Sequence, residues 1–270
     1  MRILSLGAGV QSTALALLIA HGELPPVDCA IFADTQAEPQ GVYDHLKWLM
    51  SPNVLPFPVH IVTAGSLWDD TLNGVNSTGQ RFASIPAYTS HENKPGGGLL
   101  RRQCTSEYKI IPVIKKAREL MGYKPRQRIP KNSVEMLIGI STDEAVRMKP
   151  SRYPFIENKY PLIFDLHFSR NDCLRWMERN GYALPSKSSC VFCPFHNDAT
   201  WRDMKLNDPI EFAKAVEFDA AIREDKRGKV KEKLYIHKSM KPLGEVDFRN
   251  LEDKGQQNLF GQECEGMCGV

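Results

Sequence analysis

Apolar and polar positions in the first third of the chain alternate between two periods. "RILSLG" (2–7) is a short apolar run broken by single polar residues, and Val10 to His21 is apolar at helical spacing. "CAIFADT" (29–35) reads as a strand, Val42 to Met50 as a helix and "FPVHIVTAG" (57–65) as a further strand. This β-α-β-α-β order predicts a parallel sheet with helices on both faces, whose ligands lie at the carboxyl ends of the strands. Farther along, Pro112 to Met121 is helix-like and "VEMLIGIST" (134–142) strand-like, while "SRNDCLRWMERNGY" offers Ser169 as a helix cap and Gly181 as a stop. Leu67 to Gly98, with breakers in "NGVNSTGQ" and "KPGGG", has weak periodicity and predicts a long surface loop or lid. Residues 198–227 read as helical, and 228–270 as charged loop, the strand-like "LYIH" and a Gly/Cys tail. The predicted class is α/β, a parallel doubly wound sheet with a helical, cysteine-bearing C-terminal extension. A nucleotide-binding domain is expected over 1–196, with the extension over 197–270 packed on it.

Composition narrows the setting. At 270 residues and 42% hydrophobic the chain can bury a sizeable core, and a formal net charge of +3 is too small to announce a nucleic-acid binder. No stretch approaches the roughly 18 apolar residues a membrane span needs, so a cytoplasmic protein is expected. The seven cysteines, clustered in "CVFC" and "CEGMC", suit a metal or redox inventory of reduced thiols better than a disulfide framework.

The bend in "LSLGAGVQSTALALL" (4–18) places a helix N-terminus directly after a strand. Its unpaired N–H groups and positive dipole end suit phosphate or sulfate. Against the dinucleotide fingerprint Gly-x-Gly-x-x-Gly, Gly7 and Gly9 match but Ser12 stands third, with Asp34 at the next strand end. A pyrophosphate-binding loop with hydroxyls from Ser12 and Thr13 fits better, and a plain strand-to-helix turn is the bland alternative. Cys190 and Cys193 form a Cys-x-x-Cys, a spacing at which both thiolates of a tight loop reach one metal or cluster; "CVFCPFH" adds His196 at a ligand-compatible distance, so zinc on Cys104, Cys190, Cys193 and His196 is open. Cys29 and Cys173 fall within apolar segments and read as buried hydrophobes.

In order along the chain, the bend, "FADTQAEP", "RRQCTSEYKIIP", "GISTDEAVRMK" and "SSCVFCPF" together resemble the phosphoadenylyl-sulfate (PAPS) reductase family of the adenine-nucleotide alpha-hydrolase group, over about residues 3 to 196. The resemblance is closest to bacterial and phage members without a settled substrate. It implies an adenine nucleotide at the strand ends with its phosphates or sulfate at Gly7 to Ser12. The implied nucleotide and anion set is Ser5, Gly7, Gly9, Gln11, Ser12, Thr13, Asp34, Thr35, Arg102, Lys109, Arg147 and Lys149, with arginine suited to bidentate anion contacts. ATP-splitting relatives have Ser-Gly-Gly-x-Asp-Ser in this loop; Gln11 in place of the Asp tilts the reading toward a sulfonucleotide. Iron–sulfur members place a cysteine pair upstream of the Cys-x-x-Cys. Here Gln103 replaces the first, which leaves Cys104, Cys190 and Cys193 for a 4Fe-4S cluster with Cys268, Cys264 or His196 as the fourth ligand. The tail "GQECEGMCGV" is similar to the Glu-Cys-Gly ending that delivers a nucleophilic thiolate, which implies Cys264 or Cys268 as the catalytic residue and a thiol donor protein as partner.

Three functions follow as expectations. The first is an enzyme passing the sulfonate of an adenylyl sulfate to a cysteine. The second is ATP-dependent sulfur insertion into a nucleic acid. The third is a non-enzymatic, metal-stabilised module that binds nucleotide or nucleic acid.

Overall fold

The computed structural model describes residues 1–80, 85–90, 97–224 and 230–249. Strand β1 (Arg2–Leu6) bends at 7–9 into helix α1 (Val10–Ala20), and β2 (Cys29–Asp34), α2 (Gln40–Leu49) and β3 (Val59–Thr63) follow as the periodicity predicts. Next come α3 (Leu67–Leu72), β4 (Tyr88–Ser90) and β5 (Gly97–Leu99), then a π-helical turn (Thr105–Ile110) that runs directly into α4 (Ile111–Leu120). Strand β6 (Val134–Ile138) leads through a 3-10 turn (Thr142–Arg147) to β7 (Ile156–Lys159), α5 (Pro161–Phe164) and α6 (Arg170–Arg179). Helices α7 (Asp198–Asn207) and α8 (Pro209–Ala221) and strand β8 (Lys233–Tyr235) complete the regular elements.

Five strands form a parallel sheet in the order β3-β2-β1-β6-β7. Strand β1 is central, with Ser5 level with Ile31 on one side and Ile138 on the other. Burial on both faces explains its near-continuous apolar run: Ile3, Leu4 and Leu6 are at most 2% exposed. Leu4, Leu6 and Phe32 pack under α1, α2 and α6, with Leu15, Leu18, Leu46, Trp176 and Met177, while Ile3, Ile31 and Ile138 pack against Val113 and Ala117 of α4. The class is α/β as expected. Because the chain builds outward from β1 to β3 and then returns to β6, the sheet reverses direction between β1 and β6, and the crevice outside their carboxyl ends is the topological switch point.

A second core cluster joins segments remote in sequence, including Tyr108, Phe192, Trp201, Phe212, Phe218 and Leu234, with Phe192 and Phe218 stacked at 3.7 Å. The 67–98 segment departs from the expected loop. Ser66 caps α3 by accepting from Asp69 N, and β4 pairs antiparallel with both β5 and β8. The stretch expected to be helical over 198–227 contains two helices, α7 and α8. They break at Asp208, whose non-helical backbone (φ −139°, ψ 66°) and side-chain acceptance from Glu211 N start a new helix at Pro209. The extension is therefore helices plus a strand of the small sheet. Ser169 caps α6 as expected, and Gly181 (φ +74°) follows its end. Among the described residues no helix is long and apolar enough to cross a membrane.

Candidate nucleotide-binding site

Gly9 is the N-cap of α1, and its extended backbone leaves the first-turn N–H groups pointing out of the strand end. No acidic residue lies in that turn to occupy them. Ala8 takes a left-handed conformation (φ +55°) while fully buried, which lets the chain reverse in three residues. Ser12 holds the bend closed: its Oγ accepts from Gly7 N and Gly9 N, each at 3.2 Å. A Cβ on Gly139, just past β6, would lie 2.8 Å from Ser12 N and 2.9 Å from Ser12 Cα, so the backbones meet here only because residue 139 has no side chain.

Three further segments close on this bend. Ser188 donates from Oγ to the Gly7 carbonyl and lies 3.5 Å from Glu38 Oε2. Glu38, with a side chain only 1% exposed, pairs at 2.9 Å with Lys109 of the π-helical turn. A buried carboxylate is tolerated when a cation accompanies it. Across the switch point, Gln11 Nε2 donates to Ser141 Oγ (3.4 Å) and Glu144 Oε2 (3.2 Å), and Gln11 Oε1 accepts from Arg170 at 3.1 Å. Arg147 pairs with Glu144 at 2.5 Å, and Asp143 accepts from Arg170 N at 2.9 Å.

Not every expected residue converges on the bend. Ser5 is mid-strand in β1. Thr13 is buried, its hydroxyl 2.9 Å from His45 Nε2 on α2, and burial lowers the His45 pKa from its ordinary value. Asp34 accepts from Gln36 N (2.7 Å) and Tyr43 Oη (2.8 Å), which orders the turn after β2. Thr35 is buried with its hydroxyl 3.6 Å from Cys190 Sγ. The Arg102 guanidinium lies over the Phe195 ring at 5.5 Å, and the Lys149 main chain is bonded to Tyr160 Oη at both its N–H and its carbonyl.

Cys190 and Cys104 both border the second core cluster. Burial pushes the Cys190 thiol up to about 12, with the Glu38 carboxylate adding and Lys109 opposing, so a protonated thiol stands there at neutral pH. His196 Nε2 lies 3.0 Å from the Cys190 carbonyl and its ring meets Trp201 edge-on at 4.7 Å. Burial holds its pKa down to about 3, with Lys187 adding; the neutral ring donates from Nε2 and leaves Nδ1 buried without a hydrogen-bond partner. That bare lone pair is of the kind a metal ion takes. Even so, among the described residues no group of three or more His, Cys, Asp or Glu side chains is arranged to hold a metal. Cys264 and Cys268 lie outside the described residues. Cys29 and Cys173 are buried, and burial first of all raises their thiols to about 11 and about 12, in keeping with a packing role.

Glu38, Ser141, Ser188, Gly139 and Arg170 belong to this site and were not singled out from the sequence. Gly139 had a readable signal, a glycine at the exit of a buried strand. The others depend on contacts spanning up to 181 positions.

No family profile and no curated protein sequence matches the chain. Among solved structures, the phosphate complex of phosphoadenylyl-sulfate (PAPS) reductase from Candida auris is similar in fold, with a TM-score of 0.45 and 13% identity over 70% of this chain and 80% of that chain.

Proposed function

We propose that this protein binds an adenine nucleotide at the carboxyl ends of β1 and β6 and is an enzyme acting on the sulfonate of an adenylyl sulfate. The observation that carries the binding reading is the closed bend at 7–12. Free first-turn N–H groups, a Ser12-locked loop and the close approach of Gly139 stand at the switch point of a parallel sheet. Lys109 and Arg170 supply cations beside it, and both are already oriented by hydrogen bonds to Glu38 and Gln11. Preordered donors of this kind favour an anion without the cost of reorganising around it.

The chemical step proposed rests on the tail motif. A Cys264 thiolate attacks the sulfate sulfur, the S–O bond to the phosphate breaks, and the electron pair leaves with the adenosine 5′-phosphate group. The resulting cysteine thiosulfonate is opened by an external thiol, which attacks Cys264 Sγ, releases sulfite and leaves a mixed disulfide for a second thiol to reduce. The described residues assign no step to the Cys104, Cys190 and Cys193 group; a cluster there, completed by Cys268, Cys264 or His196, or zinc completed by His196, is part of the proposal. Equilibrium binding of adenylyl sulfate, its 3′-phosphate and ATP, paired with sulfite release, tests the reading. Cys264→Ser is expected to abolish sulfite release with nucleotide affinity retained. Unchanged turnover in that variant contradicts the nucleophile, and no affinity for any of the three nucleotides contradicts the whole reading.

A further inference from the structure

The cations of this chain are unevenly placed. Lys115, Lys116 and Arg118 lie on α4, and Lys124, Arg126, Arg128 and Lys131 follow in the loop that leads to β6, with Glu119 the sole carboxylate of residues 115–131. The rest of the chain holds 28 Lys and Arg against 31 Asp and Glu, so this segment carries more than the whole net positive charge. It also lies far from the candidate site. Helix α4 starts beside Lys109 at the carboxyl end of the sheet, and its ten residues carry the chain about 15 Å, at 1.5 Å per residue, toward the amino end where β6 begins.

The loop is built rather than slack. Arg118 Nη1 donates to the carbonyls of Lys124 (3.0 Å) and Gln127 (2.6 Å), and its guanidinium lies 5.6 Å from the Phe155 ring centre. Lys124 N donates to Gln127 Oε1 at 3.0 Å, Arg126 adopts a left-handed turn (φ +67°), and Ile129 is buried beside Val113 and Ala117. Arg118 thus acts as an internal brace that presents its neighbours outward. Lys115, Lys124, Arg126, Arg128 and Lys131 are all exposed and form no ion pair among the described residues, while Glu119 is held by Lys116 at 2.8 Å.

We infer that the C-terminal half of α4 and the 122–131 loop form a nucleic-acid-binding face that follows the phosphate backbone. Duplex nucleic acid presents a negative charge about every 1.7 Å of axis, a line charge that suits several cations held on one preordered face. The other exposed residues of the loop are Gly122, Pro125, Gln127 and Pro130, which offer no large apolar side chain to insert into a bilayer. Recognition here is of the backbone and not of base sequence. The inference goes beyond the nucleotide reading and stands without it.

Fluorescence anisotropy with fluorescein-labelled 20-base-pair DNA and RNA duplexes, at 50 and 200 mM salt, tests it on the full chain. The wild type is expected to bind, and the K115Q/K124Q/R126Q/R128Q variant to lose at least tenfold in affinity at 50 mM. The slope of log K against log salt should become shallower by about 3 to 4, at roughly 0.9 for each phosphate that is no longer neutralised. Should the fourfold variant fold poorly, the single variants K124Q and R126Q should each lose twofold to fivefold. Adenine-nucleotide affinity should be the same in all of them, which separates failure of this inference from failure of the nucleotide reading. Three results overturn it: no binding of either duplex at 50 mM salt, undiminished binding by the variants, or capture of the wild type by phosphatidylserine vesicles but by neither duplex.

Discussion

At the carboxyl end of the sheet, Lys109 is paired with buried Glu38 and Arg147 with Glu144, whereas at the amino end Lys124, Arg126 and Arg128 face water over a loop that Arg118 braces from below. The difference is one of how charge is used. Paired, partly buried groups contribute little long-range field but are fixed in direction, which suits a small anion with a few defined oxygens. Exposed like charges give a field that reaches about a Debye length and is weakened by salt, which suits a polymeric partner. The first arrangement is sensitive to a single substitution, and the second to the sum of several.

The largest effect is expected from Gly139→Val. The added side chain meets the Ser12 backbone at under 3 Å, and overpacking of this kind costs about 1–3 kcal/mol while displacing the bend. Calorimetric titration with adenylyl sulfate should show at least a tenfold loss of affinity, with duplex binding by the basic face retained; equal loss at both ends would break the comparison. Next, Lys109→Met leaves the Glu38 carboxylate buried without its cation. Because Lys109 is a third exposed, the loss of stability should be about 1–2 kcal/mol rather than the 3–5 kcal/mol of a fully buried pair. Urea denaturation should show the double variant Glu38→Gln/Lys109→Met regaining most of that stability but not nucleotide affinity. A smaller contrast concerns pH. His45 is kept neutral by burial behind the bend, with its pKa below the ordinary 6.5, so its contribution to stability is present above about pH 6.5 and is lost as pH falls. The urea midpoint should drop between pH 7 and 5, less so in His45→Gln, while the salt dependence of the all-Lys/Arg face should be unchanged between pH 6 and 8. A midpoint drop undiminished in His45→Gln would remove that histidine from the account.

The central sheet is legible because burial on both faces makes its code redundant: β1 reads as apolar throughout, and the Val10 to His21 pattern locates α1 to within a residue or two. The small sheet is legible at β8, which overlaps the strand-like "LYIH", but not at β4 and β5, whose three residues each are too short to show a period, and α3 is six residues long. Within the helical stretch 198–227, the break at Asp208 is readable from Asp-Pro. At the site, the bend and Cys190 stood out because local sequence builds them. Glu38, Ser188 and Arg170 did not, since each acquires its place only when loops after different strands meet at the switch point. The basic face was written openly in residues 115–131, yet a near-neutral total charge concealed it.

The most direct measurement is hydrogen–deuterium exchange of the full chain with and without saturating adenylyl sulfate. Slowed exchange is expected at residues 7–13, 139–142 and 188–193, where the first-turn amides of α1 take the anion and its neighbours close around it, with residues 115–131 unchanged. Exchange that is unaltered at 7–13, or slowed only elsewhere, would contradict the nucleotide site.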